Sequence, residues 1–97
     1  MMRIKLLDYV SSFAENKDTA REIRLTKIIP ALEKNQEVIL DFSGVDSATQ
    51  SFIHALISDL IRNYGVEVLD RISFKSCSET VQKIIAMVVE YMQESLS

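Results

Sequence analysis

The stretch Val38–Ile57, VILDFSGVDSATQSFIHALI, decides the fold. It opens with an alternating run. Val38, Leu40 and Phe42 fall on one face, and Ile39 and Asp41 fall on the other, as a half-buried strand requires. Ser43–Ala48 then interrupts the pattern with a glycine and small polar residues, which marks a short loop. From about Ala48 the period changes from two to 3.6. Phe52, Ile53, Leu56, Ile57, Leu60, Ile61 and Tyr64 recur at helical spacing, and Gly65 stands where a left-handed C-terminal residue belongs. A strand feeding a helix through a short loop is the unit from which parallel α/β sheets are built.

Upstream, Arg3–Val10 reads as a strand with Ile4, Leu6 and Val10 on one face and Lys5, Leu7 and Tyr9 on the other. A polar stretch, Ser11–Asp18, leads into a helix over about Asp18–Lys34. Thr19 with Glu22 fits a capping box there, and the apolar stripe is Ile23, Leu25, Ile28, Ile29 and Leu32. Pro30 lacks an N–H and should kink or split that helix near Ile29. Downstream, a strand includes Ile72–Phe74 and extends back as far as Val66 on its longest reading. A last helix runs to about Glu94, with Ser76–Glu79 and Ser78 as alternative caps and Val81, Ile84, Ile85, Val88, Val89 and Met92 inward. Met87 and Tyr91 widen that stripe toward core or dimer contact.

The order is strand, helix, strand, helix, strand, helix. It predicts a small α/β sandwich, a mainly parallel sheet of three to four strands packed with three helices. Right-handed crossovers put the first two helices on one face if the central strand lies between its neighbours. The other face, with Leu7, Tyr9 and Ile39 among Lys5, Asp41 and Ser73, then needs a cover: the last helix, a partner or a second copy.

Residues 1–97 are enough for one domain and too few for two. A hydrophobic share of 47% with 26% charged residues is that of an ordinary globular chain, and only 2 Gly and 1 Pro argue against disorder. The net charge of −3, with no Lys/Arg cluster, argues against nucleic-acid binding. Charges at Arg3, Lys5 and Asp8 break the first apolar run, so no signal peptide is expected. Ile84–Val89 is too short to span a bilayer, so no membrane association is expected either. One cysteine, Cys77, makes neither an internal disulfide nor a multi-cysteine metal site, which suits a reducing compartment. The expectation is a cytoplasmic protein.

The loop and helix start carry the resemblance. Leu40-Asp41-Phe42-Ser43-Gly44-Val45 resembles the strand-to-loop signature of STAS domains, which include the anti-sigma factor antagonists. In the antagonists an acidic-serine-serine-glycine turn opens the next helix. Here Thr49-Gln50-Ser51-Phe52 stands in that place. It looks more like the STAS-like domain family of unknown function, which has threonine, one variable residue, then serine–phenylalanine. The likeness continues through Tyr64-Gly65, Arg71–Phe74 and Ser78–Val89, roughly the last two-thirds of the chain.

The resemblance implies a non-enzymatic regulatory adaptor with no cofactor or metal. Antagonist-type STAS domains bind a histidine-kinase-like ATPase, and phosphorylation of a serine at this helix start switches the binding. The counterpart by position is Ser51. Thr49 stands where the acidic neighbour would be, and Phe52 where the glycine would be. The residues picked out for partner binding or phosphorylation are Asp41, Gly44, Asp46, Ser47, Thr49, Ser51 and His54.

Each has a structural alternative. Thr49, Ser51 or a Ser47–Gln50 box could simply cap helix amides. Asp41 could hold the Gly44–Thr49 turn. His54 could be a solvated surface residue on a strip with Ser58, Asp59 and Arg62. A helix start could lower the Cys77 pKa, though a plain thiol is the favoured reading. The alternative function is a self-associating subunit, a homodimer through the sheet face or the C-terminal helix. A small enzyme ranks last, because no acid–base pair or activated nucleophile is visible.

Overall fold

The central strand and its two neighbours form the expected parallel sheet. The structure, a computed structural model, describes residues 1–96. Strands β1 (Met2–Lys5), β3 (Val38–Asp41) and β5 (Ile72–Lys75) lie in the order β1-β3-β5, all parallel. Their register aligns Arg3, Ile39 and Ser73 in one cross-strand row, and Lys5, Asp41 and Lys75 in the next. Ile4, Val38, Leu40 and Ile72 point inward and are buried. The first strand is shorter than its pattern suggested, because Leu6–Asp8 turns into a 3-10 helix that still buries Leu6.

A second sheet was not foreseen. Phe13–Ala14 (β2) lies in the stretch read as polar linker, and Ser47–Ala48 (β4) lies in the loop; the two pair in parallel. Two-residue strands carry too little pattern to show in sequence.

The first helix begins at α1 (Lys17–Ile23), where Asn16 caps it. Its Oδ1 accepts the N–H groups of Asp18 at 2.9 Å and Thr19 at 3.3 Å. The Thr19–Glu22 box is not what starts the helix. A π-helical turn, Arg24–Ile28, separates α1 from α2 (Ile29–Glu33), in which Pro30 occupies the first turn. The expected break near Ile29 is therefore present as a widened turn, with the Ile29 N–H reaching back five residues to the Arg24 carbonyl. The extra residue rotates the stripe. Leu25, placed in the core by regular spacing, is 48% exposed, and Arg24 is buried instead. At the far end Asn35 takes a left-handed conformation (φ 59°). Its N–H bonds the Leu32 carbonyl at 3.0 Å and the Gln36 N–H bonds that of Ala31 at 2.9 Å, closing the helix as a Schellman motif.

Helix α3 (Gln50–Tyr64) is the axis of the core. Phe52, Ile53, Leu56, Ile57, Leu60 and Ile61 are fully buried. Each such side chain stabilises by ~1.5–3 kcal/mol, against ~1 kcal/mol for a cap, so packing sets where this helix lies. Gly65 ends it with φ 84° as a positive-φ glycine, but its ψ of 169° is extended and not left-handed helical. Val66–Arg71 is a 3-10 helix, so the last strand does not extend back to Val66. Helix α4 (Glu79–Leu96) starts from Ser78, whose Oγ accepts the Val81 N–H at 3.1 Å. It lies against α3 and β4 and buries Val81, Ile85, Val88 and Met92. It does not cover the second sheet face, where Lys5, Ser73 and Lys75 stay exposed. Among the described residues the three predicted helices thus become four α-helices, on a sheet of the expected kind.

Candidate functional site

The loop from β3 to α3 is held at each step by a different partner. Asp41 closes the strand. Its Oδ1 accepts the Ser43 N–H at 2.9 Å and the Ser43 hydroxyl at 2.8 Å, and its Oδ2 accepts the Arg3 guanidinium at 2.8 Å. The Ser43 amide first, then Arg3 and the Ser43 hydroxyl, hold its carboxyl at about 2, well below the ordinary value, against the opposing effect of burial. The aspartate grips Ser43, the second residue of the turn that follows, and does not reach the helix start. Phe42–Val45 close a turn in which the Val45 N–H bonds the Phe42 carbonyl at 2.9 Å. Gly44 sits at its third position with φ 81°, and a Cβ there would stand 2.7 Å from Cδ2 of Leu7. Glycine takes that φ without strain, and any larger residue would also have to displace the exposed Leu7 side chain.

Asp46 and Ser47 both donate their N–H groups to the Ser12 carbonyl, at 2.8 and 3.2 Å. The Asp46 carbonyl accepts the Ser78 hydroxyl at 2.7 Å, which ties the loop to the start of α4. Ser47 belongs to β4, so no Ser47–Gln50 capping box forms. The cap is Thr49, whose Oγ1 accepts the Phe52 N–H at 3.0 Å. Ser51 is left exposed in the first turn, outside the cap.

Here the helix start meets two other elements. A groove of about 450 Å³ is lined by Gln50, Ser51, His54 and Ala55 of α3, Lys17 of α1, and Val88 and Tyr91 of α4. The His54 ring lies 6.3 Å from that of Tyr91, tilted by 53°. Of the residues picked out from sequence, Ser51 and His54 share this groove. Asp41 and Gly44 lie at the other end of the loop, beside Arg3 and Leu7. Asp46, Ser47 and Thr49 build the connection between the two ends. Lys17 was missed because it lies in a stretch read as linker, and Tyr91 because its periodicity suggested core or dimer contact. Tyr91 is in fact 58% exposed.

The polar strip expected around His54 is not continuous. Ser58 is buried. Asp59 is bridged to Arg24 at 3.2 Å and to Arg62 at 2.7 Å. The Arg24 guanidinium, brought inward by the π-helical turn, also donates to the Ala55 carbonyl at 2.6 Å, while its Nε is buried without a hydrogen-bond partner. The helix start does not activate Cys77. Burial first, and the charge of Asp41 second, push its thiol pKa up. Among the described residues no three His, Cys, Asp or Glu side chains are grouped to hold a metal ion, and no helix is long and apolar enough to cross a membrane.

A parallel sheet backed by helices, with a glycine turn that delivers an exposed helix start, defines a small α/β module of the STAS-like kind. The chain belongs to the family described as the STAS-like domain of unknown function, whose family model matches residues 19–82. The match runs from within α1 to the first turn of α4. It therefore includes Ser51 and His54 and leaves out Lys17, Val88 and Tyr91. Among curated proteins and among solved structures nothing matches the chain.

Proposed function

We propose that the chain is a non-enzymatic regulatory adaptor that docks a protein partner through the start of α3 and the groove beside it. The partner that fits is a histidine-kinase-like ATPase, and Ser51 is the phospho-acceptor that switches docking. The observation that carries this reading is the division of labour at the helix start. Thr49 makes the cap, so the Ser51 hydroxyl is exposed at the rim of a groove that also holds Lys17 and His54. A phosphate on Ser51 adds about −1.5 to −2 charges beside the positive end of a helix and a lysine, a favourable place for it. It would add bulk and negative charge at the rim of the groove the partner uses.

The test uses the chain with a histidine-kinase-like ATPase domain from the same genome. Wild type should take up phosphate from ATP in that mixture, and Ser51→Ala should not. Ser51→Asp should weaken binding by about tenfold, ~1.4 kcal/mol, with an unchanged circular dichroism spectrum. If Ser51→Ala and Ser51→Asp both bind as wild type does, the switch is wrong. If Lys17→Glu and Tyr91→Ala also leave binding unchanged, so is the docking surface.

Self-association through α4 is a second reading, favoured by Met87 and Tyr91. They stand four residues apart on the helix and are 49% and 58% exposed. Sedimentation at high micromolar concentration separates the two. A homodimer lost in Met87→Asp supports pairing, and a strict monomer rejects it.

A further inference from the structure

We propose that the outer face of the β1-β3-β5 sheet is a second docking face, for an acidic amphipathic segment of another protein. All three strands are parallel, and parallel sheets are ordinarily covered on both faces. Here the inner face is packed, and on the outer one the flanking Arg3, Lys5, Ser73 and Lys75 are exposed while Ile39 is half-buried and Asp41 is buried beside Arg3. Two rows make up that face: Arg3, Ile39 and Ser73, then Lys5, Asp41 and Lys75. Ile39, half-buried, stands between exposed residues of the flanking strands.

The charge of this face opposes that of the chain. It holds Arg3, Lys5 and Lys75 against Asp41 alone, a balance of +2, in a chain of net charge −3; the remainder therefore carries −3 − 2 = −5. Asp41 is engaged by Ser43 and Arg3, and no ion pair among the described residues uses Lys5 or Lys75. Ile39 lies one row from two uncommitted lysines, Lys5 and Lys75, which flank Asp41, and this pattern fits a segment that sets one apolar side chain beside Asp or Glu.

A second copy laid face to face would set these cations against their own counterparts, which disfavours self-pairing here. A nucleic acid would run past the face onto the acidic remainder, and none of the six positions offers an aromatic ring for a base to stack on. The groove at the start of α3 is built from helices on the inner side, so this proposal stands or falls separately from that one.

The test is an amide chemical-shift titration of the isotope-labelled chain. Three probes are used: a synthetic helical peptide with leucines flanked by glutamates, the same peptide with lysines for glutamates, and a single-stranded oligonucleotide. The proposal expects saturable shifts at Arg3–Lys5, Ile39–Asp41 and Ser73–Lys75 with the glutamate peptide alone. The double variant Lys5→Glu with Lys75→Glu should weaken them about tenfold, and so should raising salt from roughly 50 to 300 mM. The salt series needs no variant, so it decides the matter even if the double variant misfolds. Shifts centred elsewhere, no saturation, insensitivity to salt, equal binding of the lysine peptide, or tighter binding of the oligonucleotide would each overturn it.

Discussion

The two faces of the central sheet are made by the same twelve residues, Met2–Lys5, Val38–Asp41 and Ile72–Lys75, and differ in almost everything else. The inner face is apolar, with Ile4, Val38, Leu40 and Ile72 buried. The outer face is charged, and one ion pair, Arg3–Asp41, crosses it. A side chain on the first is held by packing that cannot relax. A side chain on the second is held by electrostatics and hydrogen bonds that water competes for. The same contrast recurs at the site. Gly44 is structural through its positive φ and Thr49 through its cap on the Phe52 N–H, whereas Ser51 is exposed outside that cap.

The largest test of this contrast sets Leu40→Ala against Ile39→Ala, adjacent residues on opposite faces. The inner substitution should cost about 2–5 kcal/mol in urea unfolding, and the outer one under about 1.5 kcal/mol. Equal losses would mean the outer face is packed in solution. Next is Gly44→Ala. Positive φ and the contact with Leu7 together should cost about 1–3 kcal/mol, and Leu7→Ala in the same chain should recover part of it. Thr49→Ala follows at about 1 kcal/mol, while Ser51→Ala should stay within about 0.5 kcal/mol. A loss at Ser51 as large as that at Thr49 would return Ser51 to a capping role.

A last effect appears only in acid. The carboxyl of Asp41 is held at about 2 in the folded chain against an ordinary 3.8, so folding is favoured wherever the group is ionised in both states. Its contribution is complete above about pH 4 and is lost as pH falls from there toward 2. Asp41→Asn should flatten that part of the stability curve, measured by unfolding at a series of pH values. An unchanged curve would show that the grip on Ser43 and Arg3 does not persist in solution.

Much of this architecture was legible in the residues. The alternation at Val38–Phe42, the helical spacing after Phe52 and the glycine between them dictate a strand, a turn and a buried helix. Strong periodicity over many residues reports most of the burial, since each apolar side chain left in water costs free energy, although Leu25 and Tyr64 of the read stripes are exposed. Short features escaped. Two-residue strands have no period, and Asn16, not Thr19, won the first cap. At Arg24–Ile28 a widened turn exchanged Leu25 for Arg24, which no regular spacing foretells.

The sequence by itself determined the class of fold, the short loop around Gly44 and the helix that follows it, because these depend on neighbours along the chain; which hydroxyl caps that helix and which stays exposed was read from the structure. Only the tertiary structure decided that Lys17, Ser51, His54 and Tyr91 share one groove, that Ser58 is buried, and that α4 packs beside α3 and leaves the charged face of the sheet open. Periodicity describes one element at a time. Which faces meet depends on how helices far apart in the chain pack against each other, and no single element encodes that choice.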